Sequence, residues 1–342
     1  MKIKNVIVVF STIVSLMGDD LPNGHAPISV MADHFHKKGE IMFSYRFMNM
    51  GMSKDFQGYE ETMKVKAMGY KYYGTKMDMQ MHMLGAMYGF TDKITIMTMI
   101  NMVSTKMNMT EGYNTFGDMI HDNMNHEVSG IGDLSLTVMY ALRNSESMKM
   151  HLNVGASLPT GSLEENHKMN MDGHHHKMKS AMKMRNGYAM QLGSGTIDPI
   201  VSFTVSKYMN NLAVGIQNGA RLRLADNKNG YRLGNEYYAL GWAGYNLSNS
   251  LSIGSVIRYK NSESMSGYDK EIMKNMGPSS DPNNSGRSQV EISVGANYLL
   301  PESLIHGARI AVEYAVPVSS DYTGIQMKID NQLTIGLQYS IK

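Results

Sequence analysis

The chain has 342 residues, with 32 Lys and Arg against 30 Asp and Glu, a formal net charge of +2 and no cysteine. The near-neutral balance supplies no basic patch and argues against nucleic-acid binding. The missing thiol excludes disulfides, thiolate catalysis and thiolate metal ligands, and it fits an oxidising compartment.

The first residues read as a targeting signal. Lys2 and Lys4 precede an apolar run from Val6 to Met17, and a helix needs roughly 20 such residues to span a bilayer. A signal peptide is expected over residues 1–26, its end falling between 18 and 26, at Met17-Gly18 or Gly24-His25-Ala26. Residues 27–39 then form a periplasmic N-terminal segment or plug ahead of a barrel over 40–342. In that segment His34 and His36 flank Phe35, close to His25. The pattern reads either as a solvated segment or as a periplasmic metal site.

From Glu40 onward the dominant period is two. Ile41, Phe43, Tyr45 and Phe47 alternate with Met42, Ser44, Arg46 and Met48, and Leu333, Ile335, Leu337, Tyr339 and Ile341 alternate with polar or small residues. Such alternation marks strands with one apolar and one polar face. Twelve segments carry it, near 40–49, 78–90, 93–105, 131–142, 147–159, 190–207, 211–225, 234–247, 250–260, 288–300, 307–317 and 331–341. Short connections alternate with long ones at 50–77, 106–130, 160–189, 226–233, 261–287 and 318–330. This is the wiring of an all-β, closed antiparallel transmembrane β-barrel with short periplasmic turns and long external loops. The expected setting is the outer membrane of a Gram-negative bacterium, with lipid and the barrel-assembly machinery as partners. A soluble β-sandwich is the alternative, but the apolar faces are almost free of charge. Arg221, Arg223, Arg258, Lys260, Glu291, Arg309 and Glu313 all fall on the opposite parity, as lumenal ion pairs would.

Several segments resemble the outer-membrane transporters of the meta-pathway phenol-degradation family. They are Ser157-Leu158-Pro159-Thr160-Gly161-Ser162, Met190-Gln191-Leu192-Gly193-Ser194-Gly195-Thr196 and Asn229-Gly230-Tyr231-Arg232-Leu233-Gly234, with Met42–Arg46 and Met79–Tyr88 similar to the opening strands. The resemblance implies a barrel that passes or binds small hydrophobic or aromatic solutes.

Methionine, at 35 residues, is the compositional outlier. Met77, Met79, Met81 and Met83 share one parity with Met87, opposite Leu84 and Tyr88, so they face the lumen. Met42 and Met48 join them from the first strand, and Met97 and Met99 from the third. A second cluster lies in a long loop: His167, Met169, Met171, His174, His175, His176 and Met178. Thioethers suit Cu(I) or Ag(I) and imidazoles also take Cu(II), Zn(II) or Ni(II), so a copper or silver ion is the alternative cargo. The bland reading is a flexible apolar lining.

No catalytic motif is present: no Gly-x-Ser-x-Gly, no His-Glu-x-x-His and no phosphate-cradling loop. An arrangement of His151 with Ser157 and Asp133 is the one imaginable triad, and an enzyme is not expected.

Overall fold

A computed structural model describes residues 21–62, 70–111, 123–168, 183–301, 303–305 and 307–341. The alternating segments become strands that hydrogen-bond in chain order: β1 (Ile41–Gly58), β2 (Tyr72–Thr91), β3 (Ile94–Glu111), β4 (Leu134–Ser145), β5 (Met148–Leu158), β6 (Asp198–Met209), β7 (Leu212–Arg221), β8 (Glu236–Asn246), β9 (Leu251–Ser262), β10 (Arg287–Leu299) and β11 (Ala308–Ile341). Each is antiparallel to the next, and β11 pairs with β1 from Ile41↔Ile341 upward. The ring is therefore closed, which leaves no unpaired edge and satisfies the backbone without water.

Among the described residues eleven strands make this ring, and two further strands, Glu60–Glu61 and Asn123–Ile131, belong to the same sheet outside it. The difference from about twelve lies in β11, a single strand of 34 residues. Its first half pairs with β10 and its second half with β1, in opposite directions, with Tyr322 in both ladders. The expected loop at 318–330 is thus a strand whose direction reverses near Gly324, held at a φ of +70° that suits glycine. Its mixed polar composition hid it, because above the membrane neither face must be apolar. The same reason extends β1, β2 and β3 beyond their expected ends into 50–58, 72–77 and 106–111. Strand β3 pairs below with β4 and above with Asn123–Ile131, the two ladders parted at Gly132-Asp133. Strand β6 begins at Asp198 and not near 190, where Tyr188–Met190 is a short 3-10 turn.

Side-chain parity follows the alternation. Phe43, Leu84, Tyr88, Val154, Ile257 and Leu337 are among the large apolar residues exposed around the outside. So continuous an apolar exterior is far larger than water-soluble proteins carry, and it suits hydrocarbon.

Residues 21–40 lie inside the ring at the end where the chain enters β1. Asn23 donates through Nδ2 to the Asn211 carbonyl at 3.0 Å, and Ser29 Oγ donates to Glu313 at 2.6 Å. Gln217 Nε2 donates to the Met31 carbonyl at 2.9 Å, and His36 N to Thr95 Oγ1 at 2.9 Å. Ala26 and Val30 pack against Leu240, Trp242 and Val256. Two inward glycines make room: a Cβ on Gly89 would stand 1.8 Å from the Lys37 carbonyl, and one on Gly336 would stand 2.6 Å from Ile28.

Candidate functional site: a two-walled lumen

The lumen above residues 21–40 holds two cavities of about 460 and 390 Å³ that share Met50, Met79, Glu236 and Arg287. Ser29, Met31 and Ala32 form the floor of the first. One wall comes from β1–β3, where register sets methionines side by side. Met42 pairs with Met87 and Met87 with Met97, and higher up Met52 pairs with Met77 and Met77 with Met107. Residues so paired have Cβ atoms about 5 Å apart, near enough for thioethers to touch.

The methionines serve three levels. At the bottom Met42 and Met87 are buried with Met139, Phe35 and Ala32, with Met97 against them. In the middle Met48, Met50, Met79, Met81, Met97 and Met99 face the larger cavity. At the top Met52, Met77, Met107 and Met109 are buried with Met190 and Ile329. Met83 keeps the same parity and pairs with Arg46. Met139, fully buried, was legible from its inward parity in β4; Met190 and Met327 come from loop and ribbon positions that periodicity does not reach.

The facing wall is charged. Glu236 accepts from Lys260 at 2.9 Å, from Arg223 at 3.3 Å and faces Arg221 at 3.6 Å. Arg223 also pairs with the buried Asp198, and Arg258 pairs with Glu291 while donating to Ser29 Oγ at 2.8 Å. Arg223 lies past the end of β7, whose expected reach was residue 225, and it turns inward from a loop root. Lower down, Arg309 donates to Gln338, and Glu313 accepts from Ser293 Oγ at 2.5 Å as well as from Ser29. Glu236 and Asp198 were not picked out from sequence. Their signal was the inward parity of their strands, the same signal that marked Arg258.

Inside the N-terminal segment a compact polar group stands beside this wall. Asp33 accepts from His34 Nδ1 at 2.7 Å and from the Ala26 amide at 2.9 Å. Burial pushes its carboxyl up, but His34, the hydrogen bond from it, His25 and Arg309 override this and hold it below the ordinary carboxylate range. Burial, then Arg309 and His34, hold His25 well below the usual imidazole value, so its ring is neutral at pH 7.

The imagined triad is not assembled. His151 Nε2 donates to the Ala32 carbonyl, Asp133 accepts from Ser194 and Gly161, and Ser157 lies six residues along β5 from His151, roughly 20 Å away. Of the loop cluster, only the backbone of His167 is described, in the short strand Asn166–Lys168. Met169, Met171, His174, His175, His176 and Met178 lie outside the described residues, as does the signal region before residue 21.

No protein-family model matches this chain, and no curated protein matches it. Solved structures do share its fold. It is similar to the COG4313 outer membrane channel from Pseudomonas putida F1, with a TM-score of 0.59, 13% identity and coverage of 91% of this chain and 98% of that one. A Pseudomonas aeruginosa FadL homologue matches at a TM-score of 0.42, 8% identity and 88% and 89% coverage. The KdgM porin matches at 0.40, with 9% identity and coverage of 88% and 99%. A closed antiparallel ring, an apolar exterior and this likeness together place the chain in the outer membrane of a Gram-negative bacterium.

Proposed function

We propose that the barrel passes or binds small, largely apolar solutes, which lie against the methionine wall and turn any polar group toward the arginines opposite. The observation that carries this reading is the larger cavity, with six thioethers on one side and Arg221, Glu236, Arg258 and Lys260 on the other. Its volume falls in the range of small-molecule sites, which are mostly apolar with a few placed polar groups. Methionine adapts to ligands of different shape, as a broad-specificity path requires. The similar Pseudomonas putida protein is itself an outer-membrane channel, and the sequence resemblance points to hydrophobic or aromatic compounds.

The test is binding of an environment-sensitive apolar dye to the purified barrel, with displacement by small aromatics. Met79→Lys and Met97→Lys should weaken dye binding at least ten-fold, about 1.4 kcal/mol. Unchanged binding in both variants would remove the methionine wall from the site.

A second reading, soft-metal binding, has one observation in its favour. The sulfurs of Met107 and Met327 both lie within 3.3 Å of the position a Cβ on Gly74 would occupy, in the cluster containing Met52, Met77 and Met109. Such a group suits Cu(I) or Ag(I). Silver titration of the barrel tests it, and deletion of residues 167–184 separates the lumen from the loop.

A further inference from the structure

We infer that His25, His34 and Asp33 form a binding site for one divalent transition-metal ion of borderline softness, such as zinc or nickel, inside the N-terminal segment. The site is separate from the methionine wall and does not depend on what the lumen carries.

The geometry is already close to a ligand set. Each of the three side chains offers a donor atom, and these atoms all lie within 4.8 Å of one another. Two nitrogens on one tetrahedral zinc at 2.0–2.1 Å are about 3.4 Å apart, so shifts on the order of 1 Å would close the set. The rings of His25 and His34 meet edge to face at 4.2 Å between centroids, and His36 stands 5.0 Å beyond His34 as a reserve ligand.

His34 is the centre of the argument. It is almost fully buried. Its Nδ1 is tied to Asp33 at 2.7 Å, which sets the proton there and turns the lone pair to Nε2. That Nε2 is buried with no hydrogen-bond partner. A buried nitrogen with an unused lone pair costs stability, and a metal ion is the partner that removes this cost. A carboxylate behind the ring is also how metal-binding histidines are held and made more basic. Asp33 has two roles open to it, supporting His34 or ligating directly. Beside the pair, Asp33 and His34 line a cavity of about 10 Å³ together with Met31 and Met42, roughly the size of one water or ion.

The charges nearby select the kind of ion. Arg309 stands close to both His25 and Asp33, and Arg46 close to Asp33. The carboxylate's charge is thus already shared. Calcium and magnesium, which need several anionic or carbonyl oxygens, have little to hold them here. An ion that prefers imidazole nitrogen does.

The experiment uses the full-length secreted barrel, purified from the outer membrane with a histidine-free tag, stripped with chelator and titrated with Zn(II), and with Co(II) as a spectroscopic probe. The expected result is one equivalent bound at a low-micromolar or tighter Kd, with visible Co(II) absorption of nitrogen-ligated character. His34→Ala and His25→Ala should each weaken this at least 100-fold, and Asp33→Asn about 10- to 100-fold. Replacing His174, His175 and His176 by Ala should leave it in place. Heat-modifiable gel migration confirms that each variant remains a folded barrel. Binding that survives His34→Ala, or that vanishes in the His174–His176 variant instead, overturns the inference. So does an intact mass showing that the exported chain begins after His25, since the ligand would then be absent.

Discussion

At the scale of single residues, the lumen is governed by which charges have partners. Arg223 is buried against Asp198 and Glu236. Removing one partner of a buried pair leaves an uncompensated charge, which costs several kcal/mol, more than the pair itself contributes. Asp198→Ala should therefore destabilise the barrel by roughly 3 kcal/mol in reversible urea unfolding in lipid vesicles. Replacing Lys54 by Ala in the exposed pair Lys54–Glu61, with both side chains at least 46% exposed at 2.7 Å, should leave stability nearly unchanged, because solvent screens such a pair. Equal costs at the two sites would contradict the view that burial decides. The methionines differ from these charges in that most need no partner. That is why they can both fill the dry layers around Met42 and Met52 and border the open cavity between them.

Individual elements show what the sequence could and could not reveal. Where one face of a strand meets lipid, alternation is enforced, and Phe43, Tyr45 and Leu337 announced their strands and the parity of the lumen. Above the membrane both faces of a ribbon are wet, so the upper parts of β1, β2, β3 and β11 carry no such signature. The paired inward row from Met42 to Met97 was legible because three consecutive strands shared a parity. The His25–Asp33–His34 group was only half legible: the histidines stood out, but it takes a fold-back that no periodicity encodes to bring His25 onto the adjacent Asp33 and His34. The N-terminal segment offers its own prediction. A Cβ at Gly336 would run into Ile28 and one at Gly89 into the Lys37 backbone, so Gly336→Val and Gly89→Val should unseat the segment. Trp242, the chain's single tryptophan, packs with Val30 and Ala26. Its emission should shift to longer wavelength in both variants, and Leu21–Glu40 should become open to protease. Retained emission and protection would show that the segment does not depend on those two gaps.

On the scale of the whole molecule, the ring has a lipid-facing exterior, a lumen of two unlike walls and a floor supplied by its own N-terminal segment. The floor stands across the lumen at the end where the chain enters β1. Deleting residues 21–39 should raise single-channel conductance in planar bilayers several-fold, while folding, read by gel migration, persists because the strands β1–β11 close without it. Conductance equal to that of the intact chain would mean that the passage runs elsewhere.

The residues that hold the segment come from strands spread around the ring. Thr95 lies on β3, His151 on β5, Gln217 on β7, Arg258 on β9 and Glu313 on β11. The segment directly precedes β1, which pairs on one side with β11, the last strand of the ring in chain order. Its full set of partners therefore exists only after the first and last strands have met. Protection of Leu21–Glu40 during assembly thus acts as a clock for the moment of closure: it should appear together with β1–β11 pairing and never before it.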